Sequence, residues 1–589
     1  MSFEQSSTDP SFSGGPDVLP DQKGQRFEKF SEVDLRSYNL RVQTLKLEYL
    51  SKIYAQHRDL SRIINPKRGF FEGMVPNWNQ QIDYRLIMDS DPAYFADVLS
   101  AGMMSGMSSR SQPWVKLGLS IPELEDVEEN KEWLSQAERG VYSILAESNI
   151  YDALQNCYEE VGIFSTGAFG IYEDSKEVAR AQSYTIGEYF LGNDSGGRVN
   201  TFARTEWKTV DNIVNKWGWE NCSSLVQNAY KKGQRDTMFQ VINLCEPNDN
   251  LIPGRQNFQG KPFRSTWWEA KATSNKVLKC SGFNEFPIMA CRWKTVTTAD
   301  TYGCGGPGWM AKGDIKSLYR VMKDLFLAVA KVGDPPVQVS SAVEGQANLI
   351  PGGQTRYSKE CPDGGVKPAY QINPDIKSMM GLIDMLSKKI SSRFFADLFM
   401  MMIGSDNREM TAREVVEKQK DKLLLLGPVC GRIQTDILKP TVFRVLSIGL
   451  RMGVIPPPPP GLWGMPLKLT FIGLLAQAQK MAQTESLEQG MRFAGSLVGV
   501  FPQVVDNIDV DESVRQYFNS LGVDPKVLRA PDVVERIRAA QQKAMAAQQQ
   551  QAALAQLAQT GKTLSETQVG AGASVLDHAL GVADQVPQA

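Results

Sequence analysis

Two stretches with a helical period decide the fold: DIKSLYRVMKDLFLAVAKV at 314–332 and IKSMMGLIDMLSKKISSRFFADL at 376–398. In the first stretch the apolar residues recur at intervals of three and four, at Ile315, Leu318, Met322, Leu325, Val329 and Val332. The second stretch repeats this spacing from Ile376 to Phe394. Because a helix can bury such a stripe only against a neighbouring helix, the pattern predicts two packed helical rods.

Both rods carry signals for where a helix begins and ends. Asp314 can cap the first rod, and the run Gly333–Pro336 ends it. Asn373 and Pro374 offer an N-cap and a first-turn proline to the second rod. At about 1.5 Å per residue, the roughly 19 residues of the first rod approach 30 Å. Rods of that length, joined by a projecting connection, fit the wall of an assembly better than an enzyme pocket.

Composition limits the possible functions. A chain of 589 residues exceeds what one hydrophobic core usually spans, so several domains are expected. Its 64 basic residues are balanced by 66 acidic ones, so any contact with DNA must come from a local arrangement of cations. Eight cysteines without a CxxC pair and two distant histidines argue against a metal site, a disulfide framework or a cofactor. No apolar run reaches the roughly 18 residues of a membrane span, so we expect an intracellularly made, soluble protein without a membrane partner.

Helices and strands mix before the first rod. Helical periodicity marks three stretches: 30–62, 91–107 and 131–160. Gly102 and Gly106 would let another element approach the second of these closely. From Tyr184 the period changes to two, and the segment from Tyr184 to Trp207, with a glycine-rich turn at 192–197, predicts a β-hairpin. Further strands are expected between 236 and 294, so this part of the chain is predicted to be an α+β block.

A third long helix is predicted after the second rod. Thr411 and Glu414 have capping-box spacing, and the apolar pattern continues to about Gly453. Gly427-Pro428 should kink this helix, and Pro456–Pro460 should form a stiff spacer. The remaining predictions are helices at 472–540, an Ala/Gln-rich helix at 541–559 and a disordered tail.

Few residues suggest chemistry. Gly303, Gly305 and Gly308 have the spacing of a dinucleotide-binding GxGxxG turn, but no βαβ unit surrounds them, and a flexible hinge before the first rod is the alternative. The GxxxxGK[ST] phosphate loop is absent. His57 on a charged helix and His578 in a low-complexity tail are poor candidates for a catalytic base. We therefore expect no catalytic residues.

Basic residues cluster near the end of the second rod. Lys388, Lys389 and Arg393 follow its polar side, and Arg408 lies in the polar break that comes next. These cations could meet DNA phosphates, or they could simply complement the dipole of a helix end. The sequence leaves both interpretations open.

Several segments carry a family resemblance: LSAGMMSGM at 99–107 with Pro113-Trp114, GEYF at 187–190 with the hairpin after it, Tyr302-Gly303, Asp334–Pro336, MTAREV at 410–415, LLGP at 425–428, and the proline run that ends near Leu462. In these segments, spread over about residues 30–540, the chain resembles the portal, or head-to-tail connecting, proteins of short-tailed double-stranded DNA phages. The segments occur in the family's order.

The resemblance implies a mostly α fold with an α+β wing, in a subunit of a dodecameric ring at one vertex of the virion. It also implies a non-enzymatic conduit through which the genome enters and leaves, made in the host bacterial cytoplasm. The implied partners are further copies of the chain, the major capsid protein, the scaffolding protein, terminase, the head-tail adaptor and non-specifically bound double-stranded DNA.

The resemblance divides the chain into named segments: a disordered arm at 1–26, the wing at 27–309, stem helices at 310–332 and 374–398, the clip at 333–373, the tunnel loop at 399–410, a long kinked helix at 411–455, a crown at 456–540, and a C-terminal helix and tail at 541–589 that could form a barrel. The tunnel loop centres on Ile403, Gly404, Ser405, Asp406, Asn407 and Arg408. The clip includes Asp334, Pro335, Pro336, Gly352 and Gly353.

Two other functions remain open on the sequence. One is a nucleotide-binding enzyme that uses the loop Gly303–Gly308. The other is a different structural protein of the tail or scaffold, built from similar helical rods.

Overall fold

The computed structural model describes residues 35–71, 84–121, 124, 127–271, 276–341, 343, 345–356, 365–369, 374–402, 425–473, 492–493, 496, 513, 534, 536–546 and 550–551. The chain forms two compact units, Met1–Ala482 and Gln483–Ala589. In the second unit, residues 536–546 and 550–551 are helical, in agreement with an Ala/Gln-rich helix. The arm at 1–26 and most of 474–535 and 552–589 lie outside the described residues.

The first unit is largely helical. Its helices are α1 (Leu35–Lys52), α2 (Tyr54–Ile63), α3 (Asp91–Met107), α4 (Glu128–Glu147), α5 (Ile150–Phe164), α6 (Val210–Trp217), α7 (Ser224–Lys231), α8 (Pro307–Gly333), α9 (Ile376–Arg393), α10 (Ala396–Met402) and α11 (425–451). The helices predicted at 30–62 and 91–107 are present, the first with a break at Ile53.

The single helix predicted at 131–160 is wrong. Two helices, α4 and α5, meet at Ser148, whose backbone is extended. The side chain of the next residue, Asn149, then donates to the carbonyl of Ala181 at 2.9 Å and accepts from its N–H at 2.8 Å. The extended backbone of Ser148 ends α4, and the Asn149 amide holds the chain against β3 at this break. The sequence pattern contains no sign of that distant partner.

Antiparallel strands form the β part of the unit. They are β1 (Val115–Leu119), β2 (Thr166–Asp174), β3 (Val178–Tyr184), β4 (Tyr189–Asn193), β5 (Val199–Thr209), β6 (Met238–Pro247), β7 (Phe263–Glu269), β8 (Lys279–Phe283), β9 (Ile288–Arg292), β10 (Val337–Val339), β11 (Val366–Pro368) and β12 (Leu467–Phe471). The larger sheets have the strand orders β3-β2-β9 and β4-β5-β6-β7-β8, and the pairs β1-β12 and β10-β11 stand apart. The α+β character and the strands predicted at 236–294 are confirmed.

The predicted hairpin is present but begins later than expected. Tyr184 ends β3, and only from Tyr189 does β4 pair with β5. Between them Gly187 adopts a φ of 92°, and a Cβ on it would lie 1.8 Å from the carbonyl oxygen of Phe70. Only glycine fits where the backbone at 187 passes so close to Phe70, and the chain turns there. The alternating pattern that looks like one strand therefore covers the end of β3 and the start of β4.

One continuous hydrophobic core joins the helices to both larger sheets. Its fully buried large side chains include Trp114, Tyr158, Phe169 and Trp268. The predicted close approach at Gly102 is present, because the ring of Phe399 lies where a Cβ would be. A second, smaller core lies under α6 and α7 and contains Val210, Ile213, Trp217, Cys222, Val226, Ala229, Val241 and Leu278.

The helix α11 continues through Pro428 and is irregular further on. Residues Gln434–Leu438 form a π-helical turn just before Pro440, whose ring cannot donate the usual backbone hydrogen bond. The turn brings the Asp436 carboxylate to 3.6 Å from the buried guanidinium of Arg292 on β9. The predicted start of this helix at Thr411 lies outside the described residues.

The proline run is packed against the core and is not a free spacer. The indole N–H of Trp133 donates to the carbonyl of Pro456 at 2.9 Å, and the flanking Ile455 and Leu462 are buried. The chain then returns in β12, which pairs with β1. Sequence reasoning missed this strand because its partner lies more than three hundred residues earlier.

Candidate functional site

The two predicted rods, α8 and α9, pack against each other. Helix α8 has 27 residues, and so is about 40 Å long. The predicted start at Asp314 is wrong, because the helix begins at Pro307, with Gly306 before it as the capping residue. Proline in the first turn loses no helical hydrogen bond, so this start agrees with the local sequence.

Helix α9 begins close to the predicted place. The side chain of Asp375 caps it by accepting a hydrogen bond from the N–H of Ser378 at 3.1 Å. The predicted cap, Asn373, lies outside the described residues. A carboxylate at this position also interacts favourably with the positive end of the helix dipole.

The second rod ends earlier than the predicted Leu398. Phe395 adopts a left-handed φ of 54°, which stops α9 after Arg393. The short helix α10 follows, so residues 399–402 of the predicted loop are helical. The other predicted loop residues lie outside the described residues: Ile403, Gly404, Ser405, Asp406, Asn407 and Arg408.

A small two-stranded sheet connects the two rods. Strands β10 and β11 pair antiparallel, and the N–H of Ala369 donates to the carbonyl of Pro336 at 2.7 Å. The pairing brings the end of α8 beside the start of α9, so α9 runs back along α8. We call the two helices α8 and α9 the helical hairpin, and residues 334–375 its connection.

The predicted clip residues lie in this connection. Asp334 ends α8 and donates its N–H to the carbonyl of Ala330, and Pro335 and Pro336 lead into β10. Gly352 has a φ of 79°, and the N–H of Gly353 closes an exposed turn by donating to the carbonyl of Ile350. Gly352 and Gly353 are both exposed.

The base of the helical hairpin is fixed to the rest of the unit. Ile315 on α8 and Ile390 on α9 are fully buried. The hydroxyl of Tyr319 donates to the carbonyl of Ile63 at 2.7 Å, and the hydroxyl of Ser387 donates to the carboxylate of Asp91. Helices α2, α3 and α5 provide this support.

Charges strengthen the same base. Lys312 and Lys316 on α8 lie 3.1 and 3.4 Å from the carboxylate of Asp59 on α2. Desolvation by itself would raise the pKa of Asp59, but the two ammonium groups outweigh it and lower that pKa. Nearby, burial lowers the pKa of His57 to about 3, and its Nε2 lies 3.0 Å from the carbonyl oxygen of Phe164. His57 is therefore a neutral core residue.

The distal half of the helical hairpin is apolar and exposed. Its large exposed side chains are Phe326, Leu327, Val329, Val332, Met380, Leu382 and Met385, which we call the distal apolar surface. Val329 and Val332 belong to the apolar stripe that the sequence predicts, and in the single chain they are exposed. The adjacent residues Phe326 and Leu327 lie outside that stripe, so α8 is apolar on more than one side. A helix of this kind needs more than one neighbour, and sequence reasoning missed this indication.

The basic candidates lie at the other end of α9. Lys388, Lys389 and Arg393 are exposed on its last two turns. Arg408, the fourth candidate, lies outside the described residues. The three described cations therefore share one short length of helix near the hairpin base.

The glycine loop before α8 is a packed joint. The N–H of Gly303 donates to the carboxylate of Asp300 at 3.1 Å, and the N–H of Gly306 donates to the hydroxyl of Ser165 at 2.9 Å. A Cβ on Gly308 would lie 2.5 Å from a backbone oxygen of α5. The N–H groups of Gly303 and Gly306 are already used, and the loop packs tightly against α5. This geometry favours neither a nucleotide site nor the predicted flexible hinge.

Two further features concern only the described part of the chain. No group of three or more His, Cys, Asp or Glu side chains there has an arrangement that could hold a metal ion. No helix there is both long and apolar enough to cross a bilayer.

Comparisons with known proteins show the family of this chain. A family model described as "Bacteriophage head to tail connecting protein" matches residues 37–528. The chain is 35% identical to the "Portal protein" of Salmonella phage epsilon15 over 87% of this chain and 92% of that protein. It is 32% identical to the "Probable portal protein" of Bordetella phage BPP-1 over 86% of this chain and 91% of that protein.

A solved structure, "Virion of native gene transfer agent (GTA) particle", covers 82% of this chain and 99% of its own chain, with a TM-score of 0.32 and 11% identity. That likeness is too low to support an argument. The match to the family model and the two relatives decide the assignment: this chain belongs to the bacteriophage head to tail connecting protein family.

Proposed function

We propose that this protein is the portal subunit of a short-tailed phage, which assembles into a ring at one capsid vertex and forms the conduit for genome packaging and ejection. The single observation that supports this most is the distal apolar surface on a rigid helical hairpin. Together with the family membership, it points to a surface that other copies of the chain cover.

Exposed apolar residues on both helices support a ring in preference to an isolated pair. Phe326 and Leu327 lie on α8, whereas Met380 and Met385 lie on α9. When two different surfaces of one subunit meet those of its neighbours, the contact is head-to-tail, and it closes into a ring when the rotation permits. Monomeric soluble proteins rarely expose a large contiguous apolar patch. The family resemblance supports a ring of twelve.

The connection 334–375 is proposed to be the clip, which docks terminase during packaging and the head-tail adaptor afterwards. It projects beyond the hairpin, and β10 and β11 have mainly exposed side chains. A projecting segment with exposed turns at Gly352 and Gly353 is suited to contact partners without disturbing a core.

The DNA path is proposed to follow the base of the hairpin. Lys388, Lys389 and Arg393 are exposed there, and the loop 403–408 with Arg408 comes next in the chain. Duplex DNA carries about one charge per 1.7 Å, so a strongly basic channel would hold it through many contacts and resist sliding. A few cations in a nearly neutral chain can contact phosphates transiently and without reading the sequence.

The remaining segments take their roles from this assignment. Residues 27–309 form the wing, 411–455 the long helix and 456–540 the crown, with the major capsid protein and the scaffolding protein as neighbours in the assembling virion. The protein acts as a structural component and not as an enzyme. Its chemistry is that of packing and weak charge contacts.

Electron microscopy of the purified full-length protein, in negative stain, tests the proposal. We expect closed rings with a central opening wide enough for a DNA duplex. A stable monomer of 65.4 kDa at micromolar concentration would contradict it. Saturable tight binding of ATP or NAD would instead support the enzyme alternative.

A further inference from the structure

A group of cations and tryptophans lies far from the helical hairpin in sequence, on the small lobe formed by α6 and α7. The rings of Trp217 and Trp267 have centroids 5.4 Å apart. The ammonium group of Lys216 lies 4.9 Å from the first centroid and 5.0 Å from the second. Lys208 on β5 and Lys279 on β8 complete the group, which we call the basic-aromatic patch.

The patch concentrates positive charge. Partial desolvation of the ammonium group beside the two indoles and then the charge of Lys208 lower the pKa of Lys216. The Glu206 carboxylate opposes this shift, and Lys279 adds to it. Glu206 lies 3.2 Å from Lys208, but it also pairs with Arg204 at 3.1 Å. Within the described part of the chain, neither Lys216 nor Lys279 has an ion-pair partner.

Like charges so close together cost free energy unless something offsets them. The two indole faces stabilise the ammonium of Lys216 by a cation–π interaction, and this fixes its position. The side chains of Lys216 and Lys279 are exposed, so an external anion can reach both. A cluster in which three lysines outnumber the one nearby carboxylate is suited to a polyanion.

The spread of the cations matches the repeating charge of a nucleic-acid backbone. Lys279 lies opposite Trp267 in the sheet and level with Arg204 on β5, three strands and about 14 Å away. Lys208 lies four residues further along β5, which is about 13 Å. A surface of that width faces several successive phosphates of a duplex. Because Lys216 already covers the two indole faces, bases cannot stack on them, so the contact is to the backbone and carries no sequence preference.

We propose that the basic-aromatic patch is a second site for duplex DNA, separate from the conduit and outside the channel. Compared with an acidic protein segment, duplex DNA fits better because its charge is dense and regular, and it needs no apolar docking groove beside the lysines. The inference goes beyond the proposed function, since binding here requires neither threading nor a ring.

Covalently closed, relaxed circular DNA tests the proposal, because a circle cannot thread through a closed ring. Binding by the full-length protein is measured by fluorescence anisotropy at several KCl concentrations. We expect the triple variant K208Q/K216Q/K279Q to bind at least about tenfold more weakly in low salt. The slope of log affinity against log salt should fall by about 2 to 3, at about 0.9 for each phosphate that the variant no longer neutralises.

Two further variants separate charge from folding and from non-specific attraction. The triple variant K208R/K216R/K279R keeps the charge and should retain binding. The matched control K67Q/K176Q/K468Q removes three exposed lysines elsewhere and should bind circles like the wild type.

Equal weakening in the control and the patch variant would overturn the inference, and so would wild-type binding by the patch variant. Patch-dependent binding of polyglutamate without binding of circles would overturn it in favour of an acidic protein partner. Particle mass is measured on the same samples. If the protein forms rings that do not bind circular DNA, the proposed DNA site is refuted and the proposed ring is not. If the protein is a monomer that binds circular DNA, only the proposed ring is refuted.

Discussion

Replacing Phe326 by serine should weaken assembly of the subunits without unfolding them. Phe326 is 56% exposed in the single chain, on the distal apolar surface. A phenylalanine side chain has about 200 Å² of surface, so a neighbouring copy can bury about 110 Å² more. At about 25 cal/mol per Å², this burial stabilises each subunit contact by about 3 kcal/mol. The dissociation constant of one contact should therefore rise by about 100-fold.

Mass photometry and sedimentation velocity over a dilution series measure this shift. The variant should dissociate at a concentration about two orders of magnitude above that of the wild type. Because Phe326 is already exposed in the subunit, thermal unfolding of the dissociated variant should change little, by less than about 0.5 kcal/mol.

Leu47→Ser is the matched control. Leu47 is 65% exposed on α1, away from the helical hairpin, so its loss should leave ring dissociation unchanged. If Phe326→Ser assembles like the wild type, or if both variants weaken assembly equally, the reasoning about the distal apolar surface is refuted.

Three further predictions concern other parts of the chain. Deletion of Gly404–Asn407 should leave rings and empty capsids intact but impair packaging or retention of DNA, and normal DNA-filled particles from this mutant would contradict the proposed loop. Burial raises the pKa of Glu160 to about 7 from its ordinary 4.5, so its contribution to stability is complete below pH 4.5 and is lost as the pH rises through 7. Urea unfolding of Glu160→Gln, followed over this pH range, should lack the decline of about 3 kcal/mol, and a variant with the same pH dependence as the wild type would disprove the role of Glu160. Asp436→Asn should destabilise by about 1–3 kcal/mol, because the buried Arg292 guanidinium then keeps only the carbonyls of Gly197 and Asp300 as partners among the described residues. The pair Arg292→Met/Asp436→Leu should cost less than the sum of the single changes, and strict additivity in urea unfolding would show that the two residues are not coupled.

Local patterns in the sequence determined much of this protein. The spacing of three and four predicted α8 and α9, because helical period is a property of neighbouring residues and needs no knowledge of the rest of the chain. The change to a period of two predicted the hairpin of β4 and β5 for the same reason. The order of the segments around Gly102, Tyr302 and Pro335 identified the family resemblance.

The tertiary structure alone decided where several of these elements stop. Helices α4 and α5 separate at Ser148, beside the Asn149 amide that bridges to Ala181, and β3 and β4 separate at Ile186, whose carbonyl accepts a hydrogen bond from the N–H of Phe70. Each of these partners is distant in the sequence. No local propensity encodes a hydrogen bond whose second group arrives only when the chain folds.

Burial along the helical hairpin was also decided by the fold. One apolar spacing runs the length of α8, yet Ile315 is fully buried and Val329 is exposed, since helices α2, α3 and α5 reach only the base. The basic-aromatic patch likewise exists only in three dimensions, where β5, α6, β7 and β8 bring together Lys208 and Lys279. The sequence specifies which side chains are apolar or charged, and the packing of distant elements determines which of them are left facing outward.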